Sequence, residues 1–166
     1  MEKRLPEPIE RYLDARIDER APSSLLWVTR ADLEPTAAAA NSTATERVEP
    51  EDTIGSLGER HFDMAVVADA LRHWPRTRGE QLLSRLRDRN AGSVWVVVGP
   101  VAESGDDTAW HQADFIALGF RRAPNTRELS EGWTVYRYDV HDYKLTPSWL
   151  NARYWANPER WDKERW

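Results

Sequence analysis

Two apolar runs and the helix between them constrain this chain more than anything else in it. Phe62–Ala68 is a short run with adjacent valines, and Val94–Val98 (VWVVV) is more strongly apolar and β-branched. Such runs suit strands covered on both faces, the habit of parallel sheets. Thr77 followed three residues later by Glu80 has the pattern of a helix-opening capping box. Leu82, Leu83 and Leu86 then share one helical face, and Gly92 stands where a glycine would end the helix. His61 to Pro100 therefore reads as strand, crossover helix and parallel strand, a right-handed βαβ unit.

The flanking segments extend that unit. Over Pro6–Arg20, Ile9, Leu13 and Ile17, with Tyr12, form a stripe at spacing three to four against a charged face, which predicts a helix. Ala21-Pro22-Ser23 breaks it, and Leu25–Thr29 (LLWVT) reads as the first, central strand. Arg30 to Arg60 leaves alternatives open. Ala37–Ala40 suits a short helix, Thr45–Val48 a short strand, and Asp52 a cap for a helical turn through Leu57 stopped by Gly58. The same small polar composition also suits a mobile loop.

Further along, Asp106 and Asp107 offer N-caps for a helix over 107–118. Its Trp110, Ala113, Ala117 and Phe120 recur at spacing three to four, with Gly119 at its end. Phe120–Ala123 and Trp133–Val140 read as an antiparallel pair around a turn through Asn125 and Gly132, with Thr134, Tyr136, Tyr138 and Val140 on one face. Thr146-Pro147 opens a last helix, broken at Asn157-Pro158. The expected architecture is one three-layer α/β domain over 1–166 with a mainly parallel, Rossmann-like sheet. An N-terminal helix (1–22) precedes it and an aromatic helical tail (144–166) follows it.

Composition narrows the function classes. A formal charge of −5 disfavours generic affinity for nucleic acid or acidic membranes. Cysteine is absent, so disulfides, thiolate nucleophiles and cysteine-ligated metals are excluded. No apolar run approaches the ~20 residues that span a bilayer. MEKRLPEP lacks the apolar core of a secretory signal, and the expectation is a cytoplasmic protein. His61, His73, His111 and His141 are scattered, without the spacing of a metal site. Arg72, Arg76, Arg78, Arg85, Arg87 and Arg89 cluster along the central helix. RNA or an acidic partner is one reading, and a solvated helix face is the plainer one, given Glu80 and Asp88. Four of the nine tryptophans (Trp149, Trp155, Trp161, Trp166) lie in the last eighteen residues. With Arg153 they suit either a patch for a protein partner or a second copy, or a tail that completes its own domain's core.

Phe62-Asp63, the run to Ala68, then Asp69-Ala70-Leu71 and His73 resemble the fourth strand and following loop of the class I S-adenosylmethionine-dependent methyltransferase superfold. GEQLLSRLRD with VWVVVGP resembles that fold's fourth crossover helix and fifth strand. FIALGFRRA resembles its fifth helix and the start of its terminal antiparallel pair. The C-terminal text TPSWLNARYWANPERW is similar to an uncharacterised bacterial family of small proteins with this kind of domain.

The resemblance implies S-adenosylmethionine as the possible cofactor and a glycine-rich loop after the first strand, where backbone approaches the cofactor closely. Here Thr29 is followed by Arg30-Ala31-Asp32-Leu33-Glu34-Pro35, with no glycine before Gly55. The interval to Phe62 has room for one further strand rather than two. An acid at the end of the second strand, to hold the ribose, falls to Glu46 or Glu49.

Ligands of open parallel sheets sit outside the carboxyl ends of the strands. That rule gathers Thr29, Arg30, Asp32, Asp69, His73 and Pro100 around one cleft. Thr29, Arg30, Asp32 and Asp69 are then the cofactor-contact candidates. Asp69 and His73, four residues apart, are the candidate acid/base pair; the plainer reading has Asp69 cap the turn and His73 at the surface. The preferred functional reading is a degenerate methyltransferase-like domain acting as a non-catalytic binding or interaction module. The alternative is an active methyltransferase with an atypical cofactor pocket.

Overall fold

A computed structural model of the chain describes residues 4–30, 32–42, 45–49, 54–100, 109–126 and 129–143. Strands β1 (Leu25–Thr29), β2 (Thr45–Val48), β3 (Phe62–Ala68), β4 (Ala91–Val98), β5 (Arg121–Arg122) and β6 (Thr134–Asp139) pair into one sheet. The order is β2-β1-β3-β4-β6-β5. The first four strands run parallel, with Leu25 opposite Met64 and Phe62 opposite Ala91; β6 is antiparallel to β4 and β5.

The apolar runs are explained by what covers them. Successive strand residues point to opposite faces, and here both faces are buried. Leu26, Val28, Ala65, Val67, Val94 and Val96 pack with Leu82, Leu83, Phe115 and Phe120 on one side. Leu25, Trp27, Met64, Val66, Trp95 and Val97 pack with Ile9, Leu13, Ile17 and Ala39 on the other. The covering residues come from α1 (Glu7–Arg20) and α2 (Ala37–Asn41) on one face, and from α3 (Arg76–Arg85), α4 (Gln112–Ala117) and Phe120 just after it on the other. The three layers of an α/β domain result.

The expected helix over Pro6–Arg20 forms with Pro6 as its N-cap and ends on Ala21, held left-handed at φ 41°. Arg20 pairs with the buried Asp139 carboxylate and lies over the Trp95 ring, which pins this helix end to β4 and β6. The short elements at Ala37–Asn41 and Thr45–Val48 are present, and residues 54–56 make one helical turn. One strand, not two, lies between β1 and β3 in the described chain.

Four local expectations are corrected. Thr77 does not cap the central helix. Pro75 is its N-cap, and Glu80 is drawn to Arg76 at 3.2 Å one turn away. Gly92 does not end it either. The helix passes into a wide turn over Leu86–Asn90, and Gly92 is already in β4, where a Cβ would stand 3.2 Å from the Asp63 carbonyl. The Asn90 amide closes this turn by donating to the Gly58 and Arg60 carbonyls.

The helix expected over 107–118 spans only Gln112–Ala117 among the described residues. Asp114 accepts from the His111 N–H at its start. Its buried residue is Phe115, stacked on Tyr136 with ring centroids 3.9 Å apart, whereas Ala113 and Ala117 face out. The terminal strand stops at Asp139, and Val140 begins a short helix, α5 (Val140–Tyr143). Asp52, Asp106, Asp107 and the expected tail helices fall outside the described residues. Among the described residues no helix is long and apolar enough to cross a membrane.

Candidate functional site

The chain runs from β1 outward to β2 and then returns to β3 on the other side of β1. The carboxyl ends of β1 and β3 therefore flank the topological switch point, the place where such sheets take their ligands. Two loops meet there, and they are built differently.

The loop after β1 turns back on itself, with the Leu33 N–H donating to the Arg30 carbonyl at 3.1 Å. Leu33 is only 7% exposed and joins the core beneath α1. Arg47 of β2 reaches across and donates to the Arg30 carbonyl at 3.1 Å and to the Leu33 carbonyl at 3.0 Å. Thr29, expected to line the cleft, is fully buried in the sheet, its hydroxyl donating to the Ala68 carbonyl at 3.3 Å.

The loop after β3 begins with Asp69 at φ 50°, a left-handed backbone that aspartate tolerates better than most residues. Its side chain is 10% exposed, pairs with Arg72 and accepts from the Gly99 N–H at 3.2 Å, so it ties the end of β3 to the end of β4. Gly99 is required there. A Cβ would lie 2.9 Å from the Asp69 carboxylate and 3.2 Å from the Trp133 ring. Burial pushes the Asp69 carboxyl above the usual carboxylate range, against the pull of Arg72 and the Gly99 N–H.

His73 ends the 3-10 turn Leu71–His73 and is exposed at the rim. The charges acting on it come from both loops. Burial and then Arg30 and Arg72 lower its pKa, opposed more weakly by Asp69 and Asp32. Arg30 and Asp32 pair loosely at 3.5 Å. Arg30, Asp32, Asp69 and His73 thus stand on the two loops that leave the sheet at the switch point. Arg72, not His73, holds the Asp69 carboxylate.

Sequence reasoning missed Leu33, Arg47, Gly99 and Trp133, and named Arg72 only within the basic cluster. Only Arg72 carried a local signal, lying three residues after Asp69.

Of the two acids proposed for the second strand, Glu46 is held by Arg60 through both carboxylate oxygens, at 2.9 and 2.7 Å. Glu49 directly follows β2 and is exposed. The arginines of the central helix are largely internal fasteners. Arg76 pairs with Asp114, Arg85 donates to the Gly58 carbonyl at 3.0 Å, and Arg87 donates to Asp88 and the Leu118 carbonyl.

His61 and His141 lie at the opposite end of the sheet, lining with Asp63 and Asp139 a cavity of about 400 Å³. Among the described residues no three metal-binding side chains gather in one place.

One family model, described as a family of unknown function (DUF6231), matches residues 7–166. The chain belongs to this family. A comparison with curated protein sequences returns no match. Among solved structures, this DUF6231 chain is similar to the methyltransferase domain of bacterial CtHen1, in the form denoted CN. The TM-score is 0.53 and the identity 8%, over 81% of this chain and 98% of that one. The form denoted C gives a TM-score of 0.53 and 7% identity, over 80% and 96%. At such identities the likeness is one of fold: DUF6231 here has a methyltransferase-like, Rossmann-like α/β domain.

Proposed function

We propose that the domain is a non-catalytic binding or interaction module in which the usual cofactor end of a methyltransferase-like fold has been filled by its own chain. The observation that carries this is the loop after β1. Where the resemblance calls for glycine backbone open to a cofactor, Leu33 is buried in the core and Arg47 occupies the Arg30 and Leu33 carbonyls. Those residues do not fit a backbone cradle for S-adenosylmethionine. In addition, Thr29 turns inward. Asp69 spends its carboxylate on Arg72 and Gly99.

A second reading is an active methyltransferase with an atypical pocket. It draws on one feature, Glu49, which stands directly after β2 where the resemblance puts the ribose-binding acid. Calorimetric titration of the full chain with S-adenosylmethionine and S-adenosylhomocysteine separates the two. The module predicts no saturable heat at micromolar ligand. Saturable binding of either compound, abolished by Glu49→Gln, would establish the second reading instead.

A further inference from the structure

We propose that the cavity at the amino end of β3 and β4 takes a primary alkylammonium group, with its charge on Asp63 and its other N–H groups on the His61 and His141 rings. The group belongs either to a free amine or to a lysine side chain of a partner protein. The cavity lies at the end of the sheet remote from the switch point, so the inference does not depend on the module reading. Three features support it.

First is convergence. The end of α1, the starts of β3 and β4 and the end of β6 enclose a cavity of about 400 Å³, whose lining includes His61, Asp63, Asp139 and His141. That volume is at the lower end of the range, ~300–1,000 Å³, that small ligands occupy. Strand pairing sets Met64, Ser93 and Asp139 side by side across β3, β4 and β6. Gly92, also in the lining, adds no side chain to fill the space. A Cβ there would stand 3.2 Å from the Asp63 carbonyl and 3.9 Å from the His61 ring, so the imidazole lies against β4 beside Asp63. The second is unused acceptor capacity. The Ser23 hydroxyl and N–H both donate to Asp63 Oδ2, the N–H at 2.8 Å. They hold the carboxyl below the usual carboxylate range and leave Oδ1 without a donor among the described residues. Among those residues no group hydrogen-bonds the His61 or the His141 ring, although the His141 main-chain N–H is fixed on Asp139 at 2.9 Å. A carboxylate oxygen only accepts, a neutral imidazole keeps one accepting nitrogen, and an ammonium donates three hydrogen bonds.

The third is charge. The lining sets one arginine against two aspartates. Arg20 is already committed, since it pairs with the buried Asp139 carboxylate and lies over the Trp95 ring. Asp63 is then the uncompensated charge, which repels an anion and attracts a cation. Its carboxylate and the two imidazoles do not gather into a three-ligand metal site, and the fitting cation is therefore organic. Pro22 and Val140 supply apolar lining for an alkyl stem.

The test is an NMR titration of the full chain with n-butylamine at about pH 8, where an alkylamine keeps its charge and an ordinary imidazole is neutral. Butyrate, of similar shape and opposite charge, is titrated in parallel at constant ionic strength. His61→Gln and His141→Gln assign the two rings. The expected result is a saturable movement of both rings and of the Gly92 amide at millimolar butylamine, with His73 and His111 unmoved and butyrate without effect. Asp63→Asn, which keeps an oxygen for Ser23, should weaken binding about tenfold or more. His61→Gln, read at the Gly92 amide, should weaken it about two- to tenfold. Melting temperatures check both variants, and His61→Gln carries the test if Asp63→Asn melts early. Binding of Nα-acetyl-lysine amide as tight as that of butylamine assigns the site to a partner's lysine, and binding of butylamine alone assigns it to a free amine. The proposal fails if the two rings move no more than His73 and His111, if butyrate moves them equally, or if neither variant weakens binding.

Discussion

The loops after β1 and after β3 leave the sheet at the same end, one strand apart, yet they solve opposite problems. The first is closed by hydrophobic burial: Leu33 drops into the core and Arg47 satisfies the carbonyls that the turn exposes. The second is held by polar groups around a left-handed residue, with Asp69 linking Arg72 to the Gly99 N–H. Apolar burial is non-directional and leaves nothing for a ligand to read. A polar network with half-exposed donors fixes direction and keeps capacity for another partner. The difference separates a wall from a rim at one end of the sheet.

Three substitutions probe that division. The largest effect is expected at the wall. Leu33→Ala should cost about 2–4 kcal/mol in urea unfolding, the range for a buried leucine truncated to alanine. A loss below ~1 kcal/mol would mean the loop is not anchored by this side chain, and the contrast between the loops collapses.

Next is the junction of the rim. In Gly99→Ala the added methyl meets both the Asp69 carboxylate and Trp133, and should cost about 1–3 kcal/mol by overpacking. Equal stability would show that the β4 end gives way easily.

The smallest effect is the pH response of the rim. Burial, Arg30 and Arg72 hold the His73 imidazole below its usual value, so the unfolded chain takes up this proton first as pH falls. The stability that His73 contributes is present above the unfolded value of about 6.5 and is lost as pH drops through the lower folded value. Asp69 has the opposite sign: its raised carboxyl contributes stability that is lost as pH rises through its folded value. His73→Gln should therefore flatten the fall of melting temperature on the acid side of about pH 6.5. An unchanged profile would exclude coupling between His73 and the two arginines.

What was legible in the chain depended on whether the cause was local. Strands β1, β3 and β4 were readable because burial on both faces leaves continuous apolar text, and α1 because Ile9, Leu13 and Ile17 repeat the helical period. The Thr77–Glu80 text misled because proline at 75 sets the helix start, which leaves Glu80 past the first turn and opposite the arginine one turn back. Phe115 was missed because its partner, Tyr136, lies on β6, a separate element. The site follows the same rule. Arg30, Asp32, Asp69 and His73 could be placed after β1 and β3 because strand ends are a sequence-level property. Leu33 and Arg47 were not, since a leucine in a polar loop and an arginine on a short strand reveal their roles only through contacts between elements.

The tie between Asn90 and the carbonyls of Gly58 and Arg60 has a consequence for how such a domain changes length. Arg85 grips the Gly58 carbonyl as well, so the entry to β3 is moored to the turn before β4, in addition to the tie that Arg60 makes back to Glu46 of β2. The Phe62–Ala91 register begins directly after that mooring. Length changes between β2 and Ser56 would leave the ties to the turn before β4 in place, since Gly58, Arg60, Arg85 and Asn90 all lie beyond them.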